Sequence, residues 1–461
     1  MKEDLGTDLD VPSQGTLTRA RSRWIGLASF AVACAVPLVS FALLFPLVDN
    51  VPKWDQWSLI EVWEAHYDGR PVLPLLLQPY NGHLNLLPRF LFYGLGLATH
   101  WNLRTEVLLS FLFATGTAAT LLLMLRDSGE DLLLMAAPIT AVVFSFGQFE
   151  NFLSGYPMGQ VLSQLACTLA VFSLTRPRIT ARHVAFGAAV AAIATFSWGA
   201  GLAAWPMGLA ALTARPENRR RNLIFWCTLT LAGALIVKKG AGAGGQVSLQ
   251  SLMEFDTAFF LALIGRPLTY RAFPEFSAAV GCGLLVLLAF VLTLDWALRS
   301  RRWLLALRWG LLGATALAAA GLVTLARAKA GPGQALASHY STATYPLFLS
   351  VLVLGADALL TWRSRATSRL QRAGAALLVT VLVSLPIALV LAQSRETLAI
   401  LRGWVQISQT HDQRLLAGTI TDDEIRGSLH PDPALVRHGV IVLREHRLAA
   451  WADSPAERHG D

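Results

Sequence analysis

Between Asp49 and Arg89 the chain gathers residue types that move protons and hold polar ligands. They are Asp49, Trp54, Asp55, Gln56, Trp57, Glu61, Trp63, Glu64, His66, Asp68, Asn81, His83 and Arg89. Asp55 stands between Trp54 and Trp57. A carboxylate beside aromatic rings at a membrane boundary is partly desolvated, which suits a general base. Asp49 is a weaker candidate for the same task, because it also marks the end of an apolar segment. If residues 58–67 form a short amphipathic helix, Glu61 and Glu64 fall one turn apart, as do Trp63 and Tyr67. Such an acid pair holds a metal or sugar hydroxyls, or is simply a solvated face. Tyr80-Asn81-Gly82-His83, with Arg89 two turns on, brings together amide, imidazole and guanidinium groups. Carbohydrate and phosphate sites need that mixture of donors and acceptors. The plainer alternative is a helix cap at Asn81 and an Arg89 that reaches lipid headgroups.

Further along, Gln148, Glu150 and Asn151 sit between phenylalanines in the stretch from Gly147 to Tyr156. An acid and two amides at the end of an apolar segment destabilise it unless they are paired or used. Scattered cations complete the set: Lys238, Lys239, Arg266, Arg271, Arg327 and Lys329, with His339 in Ser338-His339-Tyr340. An anionic ligand, such as a phosphate or a lipid pyrophosphate, would account for them. Headgroup contacts by long side chains are the bland reading.

The elements that must position these residues are membrane spans. The chain is 54% hydrophobic and 15% charged, with net charge +8 and mean hydropathy +0.49; an ordinary soluble domain carries roughly 25% charged residues. Its apolar runs are 24–48, 83–99, 104–125, 131–147, 157–175, 183–197, 200–214, 221–237, 276–298, 303–326, 342–362 and 371–392. Segment 83–99 carries His83, Asn85, Pro88 and Arg89 in its first half and is too short in its apolar remainder to cross ~30 Å of hydrocarbon.

Charge decides the count. Lys2, Arg19, Arg21 and Arg23 precede the first span and place the N-terminus in the cytoplasm. If 83–99 lies on the membrane surface, the cytoplasmic loops receive Arg126; Arg176, Arg178 and Arg182; Arg215, Arg219, Arg220 and Arg221; Arg299, Arg301 and Arg302; and Arg363, Arg365, Arg369 and Arg372. If 83–99 crosses, all of them move outside. The expectation is therefore an all-α polytopic protein with about eleven spans and interfacial helices in its first external loop. The hairpin 183–214, turning at Ser197, Trp198, Gly199 and Gly201, is the step on which this count depends. External segments are then 49–103, 148–156, 198–201, 238–275, 327–341 and the tail, and they hold nearly all the unusual chemistry.

The expected organisation is a cytoplasmic tail 1–23, a transmembrane domain 24–392 and a small external helical tail 393–461. In that tail Thr421 to Glu424 has the form of a capping box and Asp432-Pro433 opens a further helix. The first span follows about twenty polar residues, so it is expected to be retained rather than cleaved as a signal peptide. Cys34, Cys167, Cys227 and Cys282 lie in or beside apolar runs without paired spacing, which predicts packed thiols rather than metal ligands. The glycines of 239–245 lack the strand–turn–helix setting of a phosphate loop. The basic charge is explained by topology, so nucleic acid is not an expected partner.

The layout resembles the GT-C class of membrane glycosyltransferases, and more closely a family of bacterial polytopic proteins. The matching pieces are Trp54-Asp-Gln-Trp57, Asn81-Gly-His-Leu-Asn-Leu-Leu-Pro-Arg89, Phe149-Glu-Asn-Phe-Leu-Ser-Gly155, Trp198-Gly-Ala-Gly-Leu-Ala-Ala-Trp-Pro206, Ser338-His-Tyr-Ser-Thr342 and Leu429-His-Pro-Asp-Pro-Ala-Leu-Val436. They are short and spread over most of the chain. Gly82 stands where the family often has an acid, and Leu84 and His339 stand where it often has an arginine.

The resemblance implies a GT-C-like fold and a glycosyltransferase of the bacterial inner membrane. Its donor would be a polyprenyl-phosphate-linked sugar and its acceptor an envelope glycan or lipid, with membrane lipids as neighbours. Asp55 would act as base, and Glu150 would orient the acceptor or a metal. Asp49, Asn81, His83, Arg89, Asn151, Arg266, Arg271, Arg327, His339 and Tyr340 would bind substrate. A divalent metal cofactor is left open. Two other classes stay in view: a non-enzymatic lipid or polysaccharide transporter or flippase, and a membrane acyl or phosphoryl transferase using His66, His83 or His339.

Overall fold

The computed structural model describes residues 14–79, 85–240, 253–269 and 274–452. Among these residues there is no strand. The helices are α1 (Gln14–Leu44), α2 (Ile60–Tyr67), α3 (Leu86–Thr99), α4 (Leu103–Arg126), α5 (Ala136–Val143), α6 (Met158–Leu174), α7 (Ala181–Ser197) and α8 (Ala204–Thr213). They continue with α9 (Arg219–Gly240), α10 (Thr257–Gly265), α11 (Phe276–Arg299), α12 (Trp303–Arg327), α13 (Ser341–Arg365), α14 (Arg369–Leu416), α15 (Asp422–Ser428) and α16 (Pro433–Glu445). One-turn helices and 3-10 turns join several of them.

Among the described residues, eight segments are long and apolar enough to cross a membrane: Trp24–Leu47, Leu103–Arg126, Glu130–Gln148, Arg219–Val237, Phe276–Arg299, Trp303–Ala330, Ser338–Arg365 and Arg369–Leu416. A 24-residue helix such as α4 rises about 36 Å, more than the ~30 Å of hydrocarbon. Their outward side chains are apolar too: Leu284, Leu285, Leu288, Val291 and Leu292 of α11 are all exposed. In water such a face would be a large apolar patch; in hydrocarbon it matches its solvent. The chain is a multi-pass helical membrane protein.

The other three segments expected to span, 157–175, 183–197 and 200–214, form the shorter α6, α7 and α8, of 17, 17 and 10 residues. At 1.5 Å per residue α8 rises only about 15 Å. The 3-10 turn Gly199–Ala203 takes up the start of that segment. Most of α6 is buried by its neighbours, so its backbone need not extend through the full hydrocarbon thickness. Segment 83–99, expected to lie along the surface, contains α3, 14 residues long. Packed thiols were expected at all four cysteines, yet only Cys167 is buried; Cys34 and Cys227 are exposed.

The loops gather at two ends. At one end Arg176 pairs with Asp127 at 2.6 Å, and Arg215 donates to the Arg176 carbonyl at 2.9 Å. The fully buried Arg308 donates to the carbonyls of Met124 and Thr175 at 3.0 and 3.2 Å. Those bonds, with Asp127 4.0 Å away, pair the two terminal nitrogens of a guanidinium that would otherwise be costly to bury, while its Nε has no hydrogen-bond partner among the described residues. At the other end Arg266 donates to Gly147 at 2.9 Å and to Leu336 at 3.1 Å, drawing three loops together.

No break in the helix marks residue 393, where the tail is expected to start: α14 runs through that point and is 48 residues long, about 72 Å. Beyond it the capping box at Thr421 forms, with the Thr421 amide donating to Glu424 at 2.9 Å. Asp432 caps α16 by accepting from Ala434. The buried face of α16, Val436, Gly439, Val442 and Leu443, packs with Leu429 and Trp451 against Trp57, Ile60 and Trp63 of the first loop. The Trp54 amide donates to the Leu429 carbonyl at 2.6 Å, and the Ala449 amide to His100 at 2.8 Å. The tail is thus a cover over the acid-bearing loop.

Tail and loop pack tightly at Gly439, where an added Cβ would lie 2.9 Å from both the Trp57 ring and Ile60. Gly439→Leu is expected to lower stability by about 1–3 kcal/mol through overpacking, read as earlier thermal unfolding in detergent. Ile441→Ala, on the exposed side of the same helix, is the control that should leave the transition unmoved.

Candidate functional site

Asp55 lies in the 3-10 turn Trp54–Leu59. Trp54 adopts φ 49°, a left-handed backbone uncommon for a bulky residue, and its ring is exposed. Three residues later Trp57 is fully buried against the tail. Between them Asp55 is half-buried and lines a cavity of about 180 Å³, well above the ~10–15 Å³ that admits one water.

The turn is anchored from below. Gln56 is buried; it donates to Glu106 at 2.7 Å and accepts from the Lys53 amide at 3.1 Å. Glu106, in the first turn of α4, also accepts from the Trp101 indole at 3.0 Å. Gly155 closes on this carboxylate so tightly that a Cβ there would lie 2.0 Å from its oxygen.

Arg89, Arg327, His339 and Tyr340 line the same cavity as Asp55. Arg89 is 9% exposed, one turn into α3. Arg327 is the last residue of α12, where the helix dipole favours a cation, and it faces the Tyr340 hydroxyl. Tyr340 is buried and stacked on Trp198, their centroids 6.3 Å apart. Away from this polar rim the wall is apolar, with Pro88, Phe92, Leu202, Leu322 and Val323.

Glu150 stands behind His339. Its carboxylate meets Nδ1 of His339 at 2.5 Å and the His339 amide at 3.1 Å. Engaging Nδ1 leaves Nε2 as the ring nitrogen free to serve the cavity. Burial alone would raise the Glu150 carboxyl, but the hydrogen bond and charge of His339, aided by Ser338, hold it down at about 2. A depressed carboxyl stabilises the fold above its ordinary pKa and loses that contribution as pH falls through the depressed value. The stability advantage of wild type over Glu150→Gln should therefore shrink as the pH falls from 4.5 toward about 2. With Glu150 half-exposed the advantage is about 1 kcal/mol or less, measured as a difference in Tm.

The remaining sequence candidates are placed differently. Asn151 is fully buried and donates to Thr342 at 2.5 Å and to the His339 carbonyl at 3.3 Å, clasping the His339 turn. Arg266 is buried in a neighbouring position; burial draws it down to about 10, opposed by the Glu150 charge, and it stays cationic at neutral pH. Asp49 lies outside the cavity lining and pairs with Lys53 at 3.3 Å, which also binds Asp412 of α14 at 2.5 Å. Asn81, His83 and Arg271 lie outside the described residues. Among the described residues no group of three or more His, Cys, Asp or Glu is arranged to hold a metal ion.

Glu106, Gln160 and Tyr156 were not singled out from the sequence, although Gln160 and Tyr156 line the cavity and Glu106 anchors its edge. The signal was present for Glu106: an acid in the first turn of an apolar span is rare and asks for a partner. Chemically the site pairs a carboxylate with cations at the boundary between a polar rim and an apolar wall. Comparison with protein-family models, with curated proteins and with solved structures finds no match to this chain.

Proposed function

We propose that the chain is a membrane glycosyltransferase of GT-C-like organisation. It moves a sugar from a polyprenyl-phosphate donor to a cell-envelope acceptor at the external face of the bacterial inner membrane. The observation that carries this reading is the shared cavity, where Asp55 meets Arg89, Arg327 and His339 and the wall continues into apolar side chains. A polyprenyl phosphate has matching halves, an anionic head and a hydrocarbon tail. In this mechanism the Asp55 carboxylate takes the proton of the acceptor hydroxyl. The acceptor oxygen forms its bond to the anomeric carbon as the bond from that carbon to the phosphate oxygen breaks, with inversion. The electron pair leaves on the phosphate, where the cations stabilise the growing charge. Glu150 holds the His339 ring, a more direct task than orienting an acceptor or metal.

The gathering of the arginine-rich loops at one end and the candidate site at the other supports eleven crossings with a cytoplasmic N-terminus. The test is mass spectrometry of lipid that co-purifies with the full chain. A polyprenyl phosphate, bare or sugar-bearing, is the expected species; finding phospholipid alone, with no uptake of added undecaprenyl phosphate, would sink the reading.

A further inference from the structure

Among the described residues, two amides at the cavity, the buried Gln160 and the half-buried Asn85, stand apart from the buried amides elsewhere. Gln56, Gln148, Asn151, Gln164, Asn222 and Gln393 each make at least one side-chain hydrogen bond. Gln160, 7% exposed in the first turn of α6, and Asn85, at the entry to α3, make none among the described residues. Both line the cavity, and the side-chain oxygen of each is closed off from water with no partner among the described residues, as is that of Asn151, whose NH2 however is bonded. A buried unpaired amide calls for an explanation. They also lie close to one helix–helix contact: Gly159, next to Gln160, approaches Pro88, three residues after Asn85, so closely that a Cβ would lie 2.7 Å from its ring.

The chemistry of the pair selects its ligand. An amide both accepts and donates, so it suits a hydroxyl group, which does the same. A phosphate has only acceptors and is better served by Arg89 and Arg327 on the same cavity. The last torsion of an Asn or Gln side chain is broad and roughly two-fold, so a small rotation delivers either amide atom to an occupant. We infer that Asn85 and Gln160 form a polyol subsite that reads the hydroxyls of the transferred sugar, separate from the cationic phosphate subsite. This rests on the glycosyltransferase reading above.

The experiment measures binding of undecaprenyl phosphate, and of undecaprenyl phosphate carrying a panel of pentoses and hexoses, to the full chain by native mass spectrometry. Wild type should bind at least one sugar-bearing lipid about tenfold or more tightly than the bare phosphate. Gln160→Met and Asn85→Ala should lose that preference with bare-phosphate affinity unchanged, and Gln160→Glu, which keeps an acceptor oxygen, should retain part of it. Preference unchanged in both variants overturns the subsite and leaves the glycosyltransferase reading standing. Equal loss of both ligands assigns the amides a structural role and likewise overturns it. A wild type that binds sugar-bearing and bare lipid equally also refutes the subsite, whereas one that binds neither refutes the reading on which it rests.

Discussion

Asp55→Asn is expected to slow sugar transfer by roughly 10²–10⁴-fold, the usual contribution of a positioned general base, while the protein stays folded and its donor still binds. The substitution keeps the size and shape of the side chain and removes the basic oxygen. The turn that carries it is held by other groups: Gln56 on Glu106 at 2.7 Å, the Ser58 hydroxyl on the Asp55 carbonyl at 2.7 Å, and Trp57 buried beneath the tail. An isosteric change with that support should cost about 1–3 kcal/mol at most and leave the protein folded. The assay follows label from a polyprenyl-phosphate sugar into acceptor in reconstituted vesicles. Asp49→Asn is the matched control, since Asp49 pairs with Lys53 away from the cavity; it should leave turnover within about threefold. Full turnover in Asp55→Asn would remove Asp55 from the mechanism and leave the cations as binding groups only.

Much of the scaffold was legible because hydropathy alone writes a membrane helix: the run 104–125 became Leu103–Arg126, and 276–298 became Phe276–Arg299. The short α6, α7 and α8 show the limit of that signal. Apolar length measures what a helix needs when lipid surrounds it, and α6 is surrounded largely by protein. Asp55, Arg89, Arg327, His339 and Tyr340 stood out because polar residues at the ends of apolar runs need a reason, and all of them line one cavity. Their companions were hidden by context. Gln160 reads as an ordinary member of an apolar stretch, and nothing in local spacing pairs Glu106 with Gln56 or Gly155. The amphipathic face of α16 was readable as a face, but its partner was not, since periodicity says that a surface is buried without saying against what. Likewise Asp49 marks a helix end in sequence, while its engagement with the Lys53–Asp412 pair spans more than 350 residues.

That hidden companion gives the second large expectation. Glu106→Ala leaves the Gln56 amide and the Trp101 indole as buried donors without an acceptor. Each orphaned donor costs about 1–3 kcal/mol, so a loss of about 2–5 kcal/mol is expected, visible as a large drop in thermal unfolding temperature. Glu106→Gln is the sharper probe. Its amide oxygen can accept from one of the two donors, but its NH2 then faces the other, so about half of that loss remains. If Glu106 served only stability, an enzyme fraction that is still folded would turn over normally. The geometry argues otherwise, because Gln56 adjoins Asp55 and Glu106 fixes the turn that aims it. Arg89 and Arg327 sit on other helices, α3 and α12, and under the proposed function would keep their grip on the donor phosphate. Glu106→Gln should therefore lower kcat at least tenfold with KM for the donor nearly constant, because an interaction made in the transition state is weakened while ground-state binding persists. A parallel rise in KM, or a normal kcat in the folded fraction, would show that Glu106 supports the fold and does not position the base.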